Sequence, residues 1–136
     1  MNKAPYLLDT SAILTLIEDE DGAQRVETLL RQEDILLPFV VLLETYYITL
    51  QEQSEDIADK RYALLKQLPG TILWQVDEPT LLTAGRLKAA HRLSFADALI
   101  ASFAVRHGAI LVHKDPEMAV LAESVKVEAL PYKTYQ

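Results

Sequence analysis

Short apolar runs alternate along the chain with longer segments in which apolar residues recur at helical spacing. No internal repeat or low-complexity tract interrupts this alternation. The runs that predict strands cover residues 6–8, 35–37, 71–76, 109–112 and 125–127. Parallel strands are joined by helical crossovers, which cover both faces of the sheet. The pattern therefore predicts an α/β fold built on a parallel sheet.

The segments between these runs predict helices, whose ends are marked by small polar residues, proline and glycine. A first helix begins at Asp9-Thr10-Ser11 and reaches residue 17. Pro38 is expected in the first turn of a helix that reaches about residue 53. Gly108 ends the helix before the fourth strand. The other predicted helices cover residues 22–32, 54–68, a segment opened by 77–79, 94–108 and 116–123.

The length of 136 residues suits a single domain, spanning residues 1–136, that can bury a hydrophobic core. Hydrophobic residues make up 50% of the chain and charged residues 24%, which is typical of a folded globular protein. No apolar run reaches the ~18 residues that a membrane span needs. Residues 1–9 also lack the apolar stretch of a signal peptide. We therefore expect a cytoplasmic protein with no membrane contact.

The charge balance bears on the partners of the protein. With 13 basic and 20 acidic residues the formal net charge is −7, which disfavours a broad basic surface for nucleic acid. Carboxylates gathered in one pocket count toward that total, however, and bound divalent cations would neutralise them. Because the chain has no cysteine, a metal would have to be held by oxygen or imidazole groups, which favours hard ions.

Four acidic residues are expected near one edge of the predicted sheet. Asp9 directly follows the first strand, Asp115 follows the fourth, and Asp97 lies in the first turn of the helix before the fourth strand. Glu44 lies about six residues into its helix, on a face that is otherwise apolar. Strand ends and helix starts converge on one edge of an open α/β sheet. The pattern therefore predicts a shared acidic pocket.

Each acid also has an ordinary structural interpretation when it is taken alone. Asp9 fits a helix N-cap, and Asp97 fits a capping box opened by Ser94. Asp115 precedes a proline, as in many turns, and Glu44 could face solvent or a lysine. Four such explanations would have to coincide on one edge, whereas a divalent-metal pocket uses all four carboxylates. The helix amino terminus is also expected to lower the pKa of Asp97 and keep it ionised.

Clustered carboxylates repel one another, so such a pocket requires a cation such as Mg²⁺ or Mn²⁺. A divalent site can activate water and stabilise an oxyanion leaving group, which fits phosphodiester hydrolysis. The chain lacks a G-x-x-x-x-G-K-[ST] phosphate loop, a G-x-G-x-x-G fingerprint and a G-x-S-x-G elbow. A small-molecule phosphatase is an alternative, although Ser11 stands where haloacid-dehalogenase phosphatases have a second Asp.

Four short segments occur in order along nearly the whole chain: YLLDTSAIL, VVLLE, LSFADALIAS and ILVHKD. In sequence and spacing they resemble the four motifs of the PIN domain family, and among its members the short VapC-like toxins of prokaryotic toxin–antitoxin pairs. The resemblance implies a three-layer α/β/α fold with a five-stranded parallel sheet in the order 3-2-1-4-5. It also implies that Asp9, Glu44, Asp97 and Asp115 form an acidic metal-binding quartet.

The same resemblance implies an activity and partners. It implies an endoribonuclease that depends on Mg²⁺ or Mn²⁺, hydrolyses RNA phosphodiesters and is the toxin of a type II toxin–antitoxin pair. It further implies a homodimer and a cognate antitoxin protein whose tail blocks the acidic pocket. The alternative from a different class is a catalytically weak or inactive PIN-like module that binds RNA or protein.

Three positions near the acids have more than one interpretation. His113 stands where relatives usually have Thr or Ser, so its imidazole either contacts a metal or phosphate or fills the strand end, and the structural role is favoured. Ser11 is expected either to orient water or Asp97 or to be an ordinary helix residue. Glu117 is either a substitute ligand or a solvated acid, and the solvated role is favoured.

Basic residues near the acids are candidates for contact with the substrate. The basic candidates are Arg86, Lys88, His91, Arg92 and Lys114. They would position RNA through its phosphates without reading its sequence, and a solvated helix face is the alternative. The residues Leu43, Tyr46, Tyr47 and Leu50 predict core or dimer packing rather than a platform for stacked bases.

Overall fold

The structure, a computed structural model, describes residues 3–133 and contains a five-stranded sheet. The strands are Tyr6–Leu8 (β1), Ile35–Pro38 (β2), Thr71–Leu73 (β3), Ile110–His113 (β4) and Val127–Ala129 (β5). Every neighbouring pair is parallel, and the order is β3-β2-β1-β4-β5. The predicted fold class and strand order are therefore confirmed.

Helices flank the sheet and complete a three-layer α/β/α architecture. They are Thr10–Ile17 (α1), Ala23–Gln32 (α2), Phe39–Glu52 (α3), Glu55–Gln67 (α4), Glu78–Ala90 (α5) and Phe95–His107 (α6). The predicted short helix at Pro116–Glu123 is a 3₁₀ helix. None of the helices within residues 3–133 combines the length and the apolar character that a membrane crossing demands.

The central strand β1 and its neighbour β4 lie in the hydrophobic core. Leu7 and Leu8 of β1 are fully buried, as are Leu111 and Val112 of β4. Consecutive side chains of a strand point to opposite faces of the sheet, so both faces must be covered here. This burial leaves the ends of β1 and β4 as the places where polar side chains emerge from the core.

Four predicted boundaries were wrong, and the structure gives the reason for each. β4 is Ile110–His113 and not 109–112, because the Ala109 N–H donates to the Ala104 carbonyl of α6 (2.9 Å) and His113 pairs with Ala129 of β5. Pro38 ends β2 with extended backbone (ψ 146°), so α3 begins one residue later. The pairing of β3 stops at Leu73, because its partner Pro38 is the last residue of β2. The N–H of Val125 donates to the carbonyl of Leu121 (2.9 Å), so it belongs to the preceding turn and β5 starts at Val127.

The helix starts and one helix end follow the predicted capping residues. The side chains of Asp9, Ser54, Asp77 and Ser94 each accept a hydrogen bond from a backbone N–H of the helix that follows. Gly108 ends α6 in the left-handed conformation (φ 59°), which glycine adopts without a steric cost. Local sequence signals therefore place both α1 and α6 with their amino termini at the carboxyl edge of the sheet.

Candidate metal centre

Asp9 is the buried member of the acidic group. It directly follows β1, caps α1 and is 3% exposed. Its Oδ1 accepts hydrogen bonds from the Ser11 hydroxyl (2.7 Å) and the Ala12 N–H (2.8 Å). Burial raises the pKa of Asp9 to about 7, the two hydrogen bonds oppose the rise, and Asp97 and Asp115 add to it. Asp9 is therefore both the N-cap of α1 and a member of the acidic group.

Asp97 lies in the first turn of α6 and is half-buried. The Ser94 hydroxyl oxygen accepts from the Asp97 N–H (3.0 Å), which is one half of a capping box. Burial raises the pKa of Asp97 to about 6, and the negative charges of Glu44 and Asp115 raise it further. The expectation that the helix amino terminus would lower this pKa was wrong, because desolvation and neighbouring carboxylates outweigh the helix dipole.

Glu44 is tied to the start of α1. Its Oε1 accepts a hydrogen bond from the Thr10 hydroxyl (2.6 Å), and its Oε2 lies 3.5 Å from the Tyr47 hydroxyl, which donates to it. The half-buried carboxylate therefore faces the acidic group and not a lysine. Thr10 was missed by sequence reasoning. Its position beside Asp9 was the available signal, but its partner lies 34 residues away and depends on tertiary packing.

Asp115 follows β4 and is half-buried. Its Oδ1 accepts from the Glu117 N–H (3.0 Å), so the predicted turn is present. Its charge raises the pKa values of both Asp9 and Asp97, which shows that it shares their electrostatic environment. Glu117 is exposed and contributes to the raised pKa of Asp97, as a solvated acid at the rim of the group would.

Ser11 connects the ends of β1 and β4. Its hydroxyl donates to Asp9 Oδ1 (2.7 Å) and accepts from the Lys114 N–H (2.8 Å). The expected contact between Ser11 and Asp97 is thus replaced by one with Asp9. As the second residue of α1, Ser11 also has its predicted place in the helix. One hydroxyl therefore fixes the distance between the residue after β1 and the turn after β4.

His113 fills the end of β4 and is 1% exposed, in agreement with the favoured structural interpretation. Its Nδ1 accepts a hydrogen bond from the Asp115 N–H (3.2 Å). Burial lowers the pKa of the imidazole, and the contact with Asp115 opposes this effect. The ring is therefore a buried group at the strand end that contacts the backbone of Asp115.

The donor chemistry of the group fits a hard divalent cation, since all four carboxylates offer oxygen ligands and the charges of neighbouring carboxylates contribute to the raised pKa values of Asp9 and Asp97. The hydrogen bonds shown at Asp9 both fall on Oδ1. Within residues 3–133, no three His, Asp or Glu side chains already stand in a metal-binding arrangement.

The basic candidates differ in how accessible they are. Arg86, Lys88 and Arg92 are exposed, and His91 is half-buried at the end of α5. The Lys114 side chain is only 5% exposed, and its Nζ donates to the Asp21 carbonyl (2.8 Å) and lies 3.8 Å from Glu20. Lys114 is therefore occupied by intramolecular contacts, unlike the candidates on α5.

The aromatic face of α3 is not part of the core. Leu43 is 56% exposed, and Tyr47 and Leu50 are each 40% exposed. The prediction that this face packs in the core of the domain was therefore wrong. Tyr46 packs edge-on against Tyr62, and its hydroxyl donates to Asp59 (2.8 Å). Beside this face lies an open groove of about 590 Å³, lined by Phe39, Leu42, Leu43, Tyr46, Asp59, Tyr62 and Trp74.

The fold and the acidic edge define a parallel α/β domain with a carboxylate-rich pocket at the ends of β1 and β4. The family model of the PIN domain matches residues 6–124, and the chain therefore belongs to the PIN domain family. Comparison with curated proteins gave no match.

Solved structures share this fold at low sequence identity. The protein resembles a chain of VapBC2 from Rickettsia felis bound to a promoter DNA fragment, with TM-score 0.76, 19% identity, and coverage of 93% of this chain and 98% of that one. It also resembles a chain of VapBC-1 from nontypeable Haemophilus influenzae, with TM-score 0.72, 20% identity, and coverage of 91% of this chain and 96% of that one. A third similar structure is DNA-bound VapBC from Salmonella typhimurium, with TM-score 0.71, 16% identity, and coverage of 93% of this chain and 98% of that one.

Proposed function

We propose that this PIN domain is a metal-dependent endoribonuclease in which Asp9, Glu44, Asp97 and Asp115 bind Mg²⁺ or Mn²⁺. The observation that carries the proposal is that these carboxylates lie close enough to affect one another's charge. Asp97 and Asp115 contribute to the raised pKa of Asp9, and Glu44 and Asp115 contribute to that of Asp97. Such a group stores unfavourable electrostatic energy, which a bound divalent cation relieves. Membership of the PIN domain family supports the same assignment.

A divalent ion, when bound, would polarise the phosphodiester and lower the pKa of water. The residues of the chain have the complementary tasks of holding and orienting the ligands. Thr10 orients Glu44, and Ser11 orients Asp9, each through a hydroxyl that donates to the carboxylate. Ser94 holds the start of α6, and with it Asp97. The expected products carry a 5′-phosphate and a 3′-hydroxyl.

Purified protein tests this proposal through RNA cleavage and Mn²⁺ titration calorimetry. Wild-type protein should bind Mn²⁺ and cleave RNA, whereas Asp9→Asn and Asp97→Asn should lose both properties. Glu27→Gln, which removes an exposed carboxylate on α2, is the matched control and should behave as wild type. Unchanged cleavage and Mn²⁺ binding in the two Asn variants would refute the assignment.

The same assay separates the alternatives. Mn²⁺ binding without cleavage of any RNA tried would favour a non-catalytic binding module. Turnover of p-nitrophenyl phosphate with an aspartyl-phosphate intermediate would favour a phosphatase.

We further propose that the protein is the toxin of a type II toxin–antitoxin pair, and that it acts in the cytoplasm, where its RNA substrate is found. The similar structures named above are VapBC complexes. The open apolar groove beside α3 offers an antitoxin an apolar contact surface.

Expression in a bacterial host tests the toxin role. Wild-type protein should arrest growth and Asp9→Asn should not. Co-expression of an antitoxin, sought in a short gene next to the gene of this protein, should restore growth. Trp74→Asp, which places a charge in the groove, should keep RNA cleavage but weaken rescue by that partner. Rescue that is unaffected by Trp74→Asp would place the antitoxin elsewhere.

A homodimer of single-domain subunits is also proposed. Leu81 of α5 is 58% exposed and Phe95 of α6 is 79% exposed, and both line an apolar depression of about 410 Å³. Exposed apolar patches of this kind mark interaction surfaces. Light scattering after gel filtration should give twice the monomer mass, and Phe95→Ser should shift it toward the monomer.

Arg86, His91 and Arg92 are proposed to contact RNA phosphates, whereas Lys88 lines the depression proposed as the dimer interface and is assigned to that interface. Replacing Arg86 or Arg92 by Gln should raise KM and reduce the dependence of KM on salt. RNA binding releases fewer counterions when one phosphate contact is missing. Lys114→Gln should instead lower thermal stability, since Lys114 makes intramolecular contacts.

A further inference from the structure

His113 makes polar contacts of an unusual kind for a buried histidine. Its Nδ1 accepts from the Asp115 N–H at 3.2 Å, two residues along the chain. Its Nε2 is buried and has no hydrogen-bond partner within the described residues. The ring therefore has one satisfied nitrogen and one unsatisfied nitrogen in a fully buried position.

The hydrogen bond determines which tautomer is present. A backbone N–H can be accepted only by an unprotonated Nδ1, so the ring proton must be on Nε2. That N–H is then a buried donor without an acceptor, which costs folding free energy. An apolar side chain of similar size would avoid this cost. The polar contribution of His113 is thus its contact with the backbone of Asp115.

The turn after β4 is held by several side chains acting on successive backbone groups. Lys114 N–H donates to the Ser11 hydroxyl (2.8 Å), Asp115 N–H donates to His113, and Glu117 N–H donates to Asp115 Oδ1 (3.0 Å). Contacts from a side chain to the N–H two residues later are the geometry in which Asn and Thr commonly stabilise turns. His113 supplies this contact with an imidazole nitrogen.

We propose that His113 is a positioning residue, which holds the backbone of Asp115 through Nδ1 so that the Asp115 carboxylate faces the acidic pocket. This inference rests on the proposed metal site. The imidazole touches neither the ion nor the substrate, and it replaces the hydroxyl that the family resemblance places at this position.

Two isosteric pairs of variants test the proposal. Asn and Leu have the same branched shape, as do Thr and Val, but only Asn and Thr carry an oxygen that can accept from the Asp115 N–H. His113→Asn and His113→Thr should keep slow hydrogen exchange at the Asp115 amide. His113→Leu and His113→Val should lose that protection, and their Mn²⁺ affinity should fall about 10-fold relative to the isosteric partner.

Thermal unfolding distinguishes positioning from core packing. His113→Leu should be at least as stable as His113→Asn, because Leu buries no polar group, although it binds Mn²⁺ more weakly. If Leu and Asn, and likewise Val and Thr, gave equal protection at Asp115 and equal Mn²⁺ affinity, the proposal would be overturned.

Failure of the proposed function gives a different result. A wild-type protein that neither bound Mn²⁺ nor cleaved RNA would refute the metal site and, with it, the functional purpose assigned to His113. Amide exchange at Asp115 would still report whether the His113 contact holds the turn. A loss of protection shared by all four variants would overturn the acceptor role itself.

Discussion

Asp9 and Asp115 have similar places in the topology but different environments. Each closely follows one of two neighbouring strands, β1 and β4, and Ser11 lies between them with a hydrogen bond to each side. Asp9 is 3% exposed and its pKa is raised to about 7, mainly by burial, whereas Asp115 is half-buried. The topology thus brings acids to one edge, but local packing decides which of them bears the desolvation cost.

The largest effect is expected for Asp9→Asn. The change removes the most deeply buried ligand of the proposed site, so RNA cleavage should fall by about 10³-fold, which corresponds to several kcal/mol of transition-state stabilisation. In metal-free protein above pH 7 the melting temperature should rise, because a buried charge is removed. Single-turnover kinetics and thermal unfolding measure these effects, and a loss of less than tenfold in cleavage would contradict the central role of Asp9.

Asp115→Asn should have a smaller effect, since its carboxylate is more accessible to solvent and water can take its place. We expect cleavage to fall by about 10-fold and the metal-free melting temperature to change little. The same two assays apply. Equal losses for Asp115→Asn and Asp9→Asn would show that the difference in burial has no functional consequence.

Thr10→Val tests the second contact that holds the site from α1. Loss of the 2.6 Å hydrogen bond leaves Glu44 without its orienting donor, so Mn²⁺ affinity should fall by about 10-fold. Thr10→Ser keeps the hydroxyl and should retain wild-type affinity. Calorimetry that gave the same affinity for Val and Ser would show that Glu44 needs no such support.

The last effect concerns stability and not cleavage, namely the pH dependence of stability in the absence of metal. The pKa of Asp9 is raised from 3.8 to about 7 and that of Asp97 from 3.8 to about 6 on folding, so the folded state binds more protons than the unfolded state between these values. Stability should therefore decrease as pH rises from about 4 to 7 and then level off, with a slope of at most about 1.4 kcal/mol per pH unit from each of the two carboxylates.

Two changes should reduce this slope. Asp9→Asn removes one of the two titrating groups, and saturating Mn²⁺ favours the ionised carboxylates. Denaturant unfolding at a series of pH values, with EDTA or with Mn²⁺, measures the effect. A metal-free stability that increased over this interval would contradict the assigned environment of Asp9.

Much of the fold was predictable because its signals are local. Apolar runs predicted the five strands, and Ser54, Asp77, Ser94 and Gly108 correctly marked helix ends. The positions of Asp9 and Asp115 after their strands followed from the same pattern. The strand limits that were wrong, at Pro38 and in β3, β4 and β5, depend on which backbone groups find partners in a neighbouring element.

The sequence by itself determined the parallel α/β fold class, the helix caps and the presence of four acids near one sheet edge, because apolar periodicity and capping act over a few residues. The strand order followed from the family resemblance. The tertiary structure decided what each acid contacts. The bonds of Thr10 to Glu44 and of Ser11 to Lys114 join residues 34 and 103 positions apart. The raised pKa of Asp97 and the buried Lys114 likewise depend on packing, since desolvation and charge are summed over neighbours that only the folded chain brings together.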